Sequence, residues 1–261
     1  MYIKIHNRKL HYKKIGSGKP ILLVHGWGGN IYSLHALACL ASKNYTAYLI
    51  DLPGFGKSDN PPQHWGIEGY AELITMFITH VIKEKPKYIG HSFGGEIGMY
   101  IASHYPQIID LLILCNSSFK RQNKVSRIAK ILKLIPKEKN IVFHFVYPYI
   151  KRLYYTLIQK QSDLIKYPHL EKNFRKIITQ DLSNNIKKIH KNTLILWGEQ
   201  DAITPVIWAY ELHKNISHSQ LYVFPDAGRN LPIQYPKDVW GKIEAFLTVK
   251  KSINMYNIRS D

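Results

Sequence analysis

Five short apolar runs, each closing on a turn-forming residue, constrain the fold of this chain more than any other feature. They are "PILLVHG" (20–26), "TAYLIDLPG" (46–54), "PKYIGHSFGG" (86–95), "IIDLLILCNS" (108–117) and "NTLILWGEQD" (192–201). A run without polar alternation suits a strand buried on both faces, which is the condition inside a parallel sheet. Helical stretches lie between them. Residues 31–41 have helical composition, and 67–83 place Ile67, Tyr70, Ala71, Ile74, Phe77, Ile78 and Val81 on one helical face. "YIKIH" and "KLHYKKIG" read as an opening strand pair, "QLYVFPDAG" as a last strand, and Pro236 as the start of a final helix to about Val249. Strands alternating with helices predict an α/β architecture, a mostly parallel central sheet covered by helices.

The alternation fails between Ser117 and about Lys187. There the pattern is helical and basic: Val125, Ile128, Ile131, Leu132 and Ile135 recur at helical spacing, and Pro136 stops the run. This reads as a helical insertion, giving a core over 1–117 and 188–250, a cap over 118–187, and a polar tail over 251–261 expected to fray. The charge follows the same division. Between residues 116 and 190 there are 17 basic and four acidic residues, so +13 of the chain's net +18 falls in less than a third of its 261 residues. A surface for an anionic partner is the functional reading. A chain rich in Ile, Lys, Asn and Tyr, all with A/T-rich codons, would also gain lysine by drift, and that accounts for the total better than for the clustering.

The amino terminus carries no apolar leader, and no apolar run reaches the roughly 18 residues of a membrane span. Cys39 and Cys115 each lie in an apolar segment and are expected as buried, reduced thiols. The expected compartment is cytoplasmic.

"GHSFG", Gly90 to Gly94, fits G-x-S-x-G with a strand before it and a helix after it. Such a turn forces its serine, Ser92, into a strained conformation with the hydroxyl raised above the sheet edge. It also aims the Phe93 amide and the helix N-terminus at a reacting oxygen. "HGWGG", His25 to Gly29, can offer a second oxyanion donor, the amide of Trp27, beside Gly26. Its plain alternative is a glycine turn. Asp201, just past the "LIL" strand, can orient an imidazole or simply cap a helix.

These motifs, with "DLPGFGKSD" and "DAGRNLPIQYP" in the same order, closely resemble the α/β-hydrolase superfamily, in its cap-bearing branch of small esterases and acyl hydrolases. The resemblance spans residues 3–249. It implies the α/β-hydrolase fold, a serine hydrolase acting on a small-molecule carboxylic ester or acyl thioester through an acyl-enzyme on Ser92, no cofactor, and a triad in the order Ser92, Asp201, then position 229. Gly26 and His91 would face substrate. The family's last motif places histidine at position 229, and this chain has Arg229, with Gly228, Asn230, Leu231, Pro232 and Pro236 all in register.

A triad base must take the serine proton and return it. A guanidinium stays protonated and has no acceptor lone pair. Arg229 is expected instead to pair bidentately with Asp201 and to set a fixed positive charge near Ser92, able to attract an anion. Loss of the base costs roughly four to six orders of magnitude in turnover, with about 10³ remaining from the oxyanion hole and binding. His144 and His169, in the insertion, are the candidates for a substitute base.

Three readings stay open: a hydrolase crippled at position 229; a binding protein that keeps the pocket, as in hormone receptors similar to this superfamily that have lost the same histidine; and docking of an acidic partner by the basic cap. The "HGWG" loop with a basic cap is reminiscent of esterases that release methyl pimeloyl groups from acyl carrier protein, an acidic partner. An anionic membrane surface is the other candidate. No HExxH, paired CxxC or P-loop pattern occurs, so no metal or nucleotide site is expected. Nucleic acid is not an expected partner either, because no recognisable nucleic-acid module accompanies the charge.

Overall fold

A computed structural model describes residues 1–120 and 166–257, with side chains through Thr248. Eight strands form one sheet: β1 (Tyr2–Ile5), β2 (Arg8–Ile15), β3 (Pro20–Val24), β4 (Thr46–Ile50), β5 (Lys87–His91), β6 (Leu111–Cys115), β7 (Thr193–Gly198) and β8 (Ser219–Phe224). Their spatial order is β1-β2-β4-β3-β5-β6-β7-β8. β1 and β2 pair antiparallel, β2 joins β4 antiparallel, and every later pairing is parallel. The apolar runs explain this. Every residue of β3, β4, β6 and β7 is buried, as a strand covered on both faces must be. β8, at the far edge, is only half-buried along its length.

The covering helices are α1 (His35–Ala41), α2 (Ile67–Phe77), α3 (Phe93–His104), α4 (Glu171–Ile177), α5 (Ser183–Ile186), α6 (Ile207–Asn215), α7 (Leu231–Gln234) and α8 (Pro236–Asn257). Two apolar clusters divide between the faces. Leu22, Ile74, Phe77 and Ile97 belong to one, and Leu23, Leu37, Val239 and Ile243 to the other. Consecutive strand residues such as Leu22 and Leu23 thus feed opposite cores, as the two-residue period of a strand requires.

Several boundaries differ from the sequence reading. Residues 31–34 precede α1 as a turn, because the Ile31 amide donates to Asp51 Oδ1 at 2.7 Å. α2 ends at Phe77 and passes into one wide π turn, Ile78–Ile82, closed by Lys83 at φ 61°. α8 continues to Asn257, where the sequence suggested an end near Val249 and a frayed tail. Cys115 is buried as expected, and burial pushes its thiol up to about 12. Cys39 is exposed, contrary to expectation, because α1 turns it away from the face that buries Leu37, Ala38 and Ala41.

The long segment between β6 and β7 leaves the sheet at the carboxyl ends of its strands. Its described part is helical, with a 3₁₀ turn at Pro168–Leu170 before α4 and α5. The helix expected over 124–136, and His144, lie outside the described residues. Hydrogen bonds close the base of the segment and fasten it to the core. Leu182 N donates to Phe119 O at 2.7 Å, which draws the two sides of the segment together at its base. Asn173 Nδ2 donates to the carbonyls of Pro62 at 2.7 Å and Trp65 at 3.0 Å. Among the described residues, no helix is long and apolar enough to cross a membrane.

Candidate active site

Ser92 sits between β5 and α3 with φ 52° and ψ −116°, a conformation unfavourable for a residue with a Cβ. Two close approaches hold it there. The Ser92 amide donates to Cys115 O on β6 at 2.9 Å. α3 then runs so near the sheet that a methyl group on Gly94 would collide with the Val24 carbonyl, and one on Gly90 would meet Gly94 O at 2.5 Å. The strain expected of this turn is present, and the Phe93 amide stands at the first position of α3.

The loop after β3 closes over the same point. Gly29 N bonds Gly26 O at 3.0 Å, with Gly28 at φ 77°, the value a type II turn demands of its third residue. Gly26 lies against Ser92: an added Cβ would stand 3.0 Å from Ser92 Cβ. The amides of Trp27 and Phe93 have no acceptor among the described residues. His25 braces the loop, its Nε2 accepting from Leu52 N at 3.0 Å, which fixes the ring proton on Nδ1, 2.7 Å from Gly26 O. Burial lowers His25 to about 4, so it is neutral.

Asp201 follows β7. Its carboxylate is buried and fully subscribed. Oδ1 accepts from the amides of Ile203 at 2.9 Å and Thr204 at 2.8 Å. Oδ2 accepts from Asn116 Nδ2 at 2.8 Å and, through a short bond, from Thr204 Oγ1. Asp201 does not cap a helix, the alternative the sequence offered: its Oδ1 closes the turn over Ile203 and Thr204, and the next helix begins after Val206 with no side-chain cap.

Arg229 reaches into this cluster from the loop between β8 and α7. Nη1 donates to Thr204 Oγ1 at 2.9 Å, and Nη2 donates to Ser92 Oγ in a short bond. Nη1 lies 3.5 Å from Asp201 Oδ2, an ion pair without hydrogen-bond contact. The bidentate Arg229–Asp201 pair expected from the sequence is therefore not formed. Asn116, Thr204 and two amides already occupy the carboxylate, and the guanidinium turns to hydroxyl oxygens instead. His91 Nε2 lies 2.9 Å from the Arg229 carbonyl, so it carries the proton and holds the loop. Burial, ahead of the Arg229 charge, lowers His91 to about 4.

The fold thus brings Gly26, Trp27, His91, Ser92, Phe93, Asp201 and Arg229 to one edge of the sheet. It does not bring His169 there: its Nε2 faces the Gly54 carbonyl at 3.4 Å. Among the described residues, the hydrogen-bond partner of Ser92 Oγ is Arg229. Sequence reasoning missed Asn116 and Thr204. Asn116 takes φ 48° directly after the apolar strand β6, and asparagine is among the few residues that tolerate that region, so an Asn at the strand's carboxyl end was the available signal. Above the site, the Trp27 ring packs on Phe55 at 5.0 Å, Phe93 at 5.5 Å and Phe174 of α4 at 5.2 Å. Tyr167 stands on Phe55 and donates its hydroxyl to Gly28 O at 3.0 Å. The described part of the β6–β7 segment is thus packed onto the loop that carries Trp27.

A strained serine between a strand and a helix, an acid after β7 and an eight-stranded, mostly parallel sheet decide the architecture. This is the α/β-hydrolase fold. A family described as alpha/beta hydrolase fold matches residues 19–142. The chain is 26% identical over 258 residues to monoacylglycerol lipase ABHD6 of Mus musculus, covering 89% of this chain and 76% of that one. It is 21% identical over 258 residues to the 2-hydroxy-6-oxo-2,4-heptadienoate hydrolase of Pseudomonas putida, covering 90% and 91%. The solved structure of a thermophilic esterase from Thermogutta terrifontis superposes with a TM-score of 0.71 at 23% identity, covering 95% of this chain and 98% of that one. Ser92 and Asp201 follow the carboxyl ends of β5 and β7, and Arg229 stands in the loop after β8.

Proposed function

We propose that the chain is a serine hydrolase of carboxylic esters or acyl thioesters, with Ser92 as nucleophile and a turnover suppressed by Arg229. The observation that carries this is the Arg229 Nη2 bond to Ser92 Oγ, beside a carboxylate held as a triad acid would be. Of the similar proteins, one is named a monoacylglycerol lipase and one an esterase, and both names point to ester hydrolysis.

The chemistry follows from the donors. Attack by Ser92 on an acyl carbon requires its proton to leave as the C–O bond forms. Arg229 gives Ser92 Oγ a proton-bearing partner where an acceptor is needed, and engages the lone pair that would attack. The amides of Trp27 and Phe93 would still stabilise a developing oxyanion, so a slow background rate toward activated esters is expected. The partly buried Trp27 ring, packed on Phe55 and Phe93, gives the loop beside Ser92 an apolar face, which suits an apolar acyl group.

The test is hydrolysis of a short-chain aryl ester by the chain and by Arg229→His. The expected result is a gain of at least about 10²-fold, abolished by Ser92→Ala. Equal rates in both, each lost with Ser92→Ala, would mean that another base operates and would sink the assignment of position 229.

A further inference from the structure

The hydrogen bonds around Ser92 all run in one direction, and this determines what the site can hold. Arg229 Nη1 donates to Thr204 Oγ1, so the Thr204 hydroxyl proton points onward to Asp201 Oδ2. Arg229 Nη2 donates to Ser92 Oγ, so the Ser92 hydroxyl proton must point elsewhere. No described residue accepts it. The amides of Trp27 and Phe93 are unspent in the same place, and the Trp27 indole Nε1, buried nearby, has no partner among the described residues. Among the described residues the unpartnered groups beside Ser92 are donors, while one unpartnered acceptor, Asn116 Oδ1, is buried behind them next to Asp201.

The charge is equally one-sided. Arg229 and Asp201 form an ion pair at 3.5 Å, but the Asp201 side chain is 0% exposed and saturated by four donors, whereas the Arg229 side chain is 27% exposed. The positive end is partly exposed and the negative end is buried behind it. An ester carbonyl could use one or two of these donors. An anion could use them all and answer the charge.

We propose that the Ser92–Arg229 site of this chain is a receptor for the carboxylate of an organic acid with an apolar tail. The carboxylate would take the Ser92 hydroxyl and the two amides, facing the guanidinium, and its tail would lie against the partly buried Trp27 ring. That apolar face favours an aliphatic acid over a small inorganic anion. The inference uses the site assigned above but does not need Ser92 to be a nucleophile.

The experiment is calorimetric titration of the chain with octanoate, octanamide, octanol and inorganic phosphate. Octanoate should bind at least about 10-fold more tightly than octanamide or octanol, and more tightly than phosphate. Arg229→Gln should lose that preference, and Arg229→Lys should keep part of it, because the charge remains while the fork is lost. Ser92→Ala should weaken octanoate binding, because one of the carboxylate's donors is removed. Octanamide binding as well as octanoate, an undiminished preference in Arg229→Gln, or no octanoate binding at millimolar concentration would each overturn the proposal. Tighter binding of phosphate would overturn the choice of carboxylate. Restored ester turnover in Arg229→His with no octanoate binding to the native chain would remove this inference and leave the hydrolase reading standing. The reverse pair of results would do the opposite.

Discussion

His91 donates its Nε2–H to the backbone carbonyl of Arg229 at 2.9 Å, and so ties the strand that ends at Ser92 to the loop that carries the guanidinium. The bond requires a proton on Nε2, and burial keeps the second nitrogen unprotonated.

A pH dependence of stability follows. His91 and His25 are both lowered to about 4 in the folded chain, against about 6.5 unfolded. Between those values the unfolded state binds more protons, so stability is full above about pH 6.5 and falls as the pH drops toward 4. Each imidazole contributes a slope approaching about 1.4 kcal/mol per pH unit. Urea unfolding at pH 7.5, 6, 5 and 4.5 should show this, and His91→Gln should flatten it. A slope unchanged in His91→Gln would count against a buried neutral imidazole at that position.

Asn116 should matter for the acid more than for the serine. Removing Nδ2 takes a donor from the buried Asp201 carboxylate, and a hydrogen bond to a charged group contributes about 1.5–3 kcal/mol. Asn116→Ala should lose stability in that range by denaturant midpoint. Combined with Arg229→His, it should lower kcat by about 10-fold while KM changes little. A change confined to KM would place Asn116 with substrate binding instead.

Two glycines should respond in opposite ways to the same methyl group. Gly94→Ala drives a Cβ into the Val24 backbone, which cannot yield without moving β3, and should cost about 3 kcal/mol or more. Gly241 lies in α8 with nothing within 4 Å of an added Cβ, so Gly241→Ala should gain about 0.5–1 kcal/mol. Thermal unfolding of the two variants gives the comparison. A gain in Gly94→Ala would mean the elbow is less tightly packed than described.

The basic segment should bind anions only to the extent that its charge is unspent. Lys120 pairs with Glu211, Arg175 with Glu171 and Lys176 with Glu68, so part of the described charge is already answered within the chain. If the remainder serves an acidic carrier protein or an anionic membrane surface, binding at low salt should weaken steeply toward physiological salt, where the Debye length is about 8 Å. Co-sedimentation with anionic vesicles and titration with acyl carrier protein read this out. No binding to either at low salt returns the charge to base composition.

The sheet was legible because burial on both faces leaves a plain mark: runs such as "PILLV" and "LLILC" contain no polar residue to misplace. The serine turn was legible because close packing demands glycine at positions 90 and 94. The partners of Asp201 were not. Asn116 and Thr204 meet it across 85 and 3 residues of sequence, and hydrogen-bond saturation of a carboxylate has no periodicity. Without those two, an unmet carboxylate calls for a bidentate arginine. The exposed Cys39 was misjudged because a seven-residue helix among apolar neighbours gives little phase to tell its inner face from its outer one.

The bond from Leu182 N to Phe119 O has a consequence for how the chain can change. It brings two points 63 residues apart in number to within one peptide hydrogen bond, about 5 Å between α-carbons in such a pairing. The described residues between them are fastened to the core as well, through Asn173 to Pro62 and Trp65 and through Tyr167 to Gly28. Insertions, deletions or wholesale exchange there alter the length of a loop whose ends are already joined, and closure cost rises only slowly with length. Chain can therefore be added or removed between Phe119 and Leu182 at a small closure cost, while the sheet, the strained Ser92 and the saturated Asp201 carboxylate keep their own contacts.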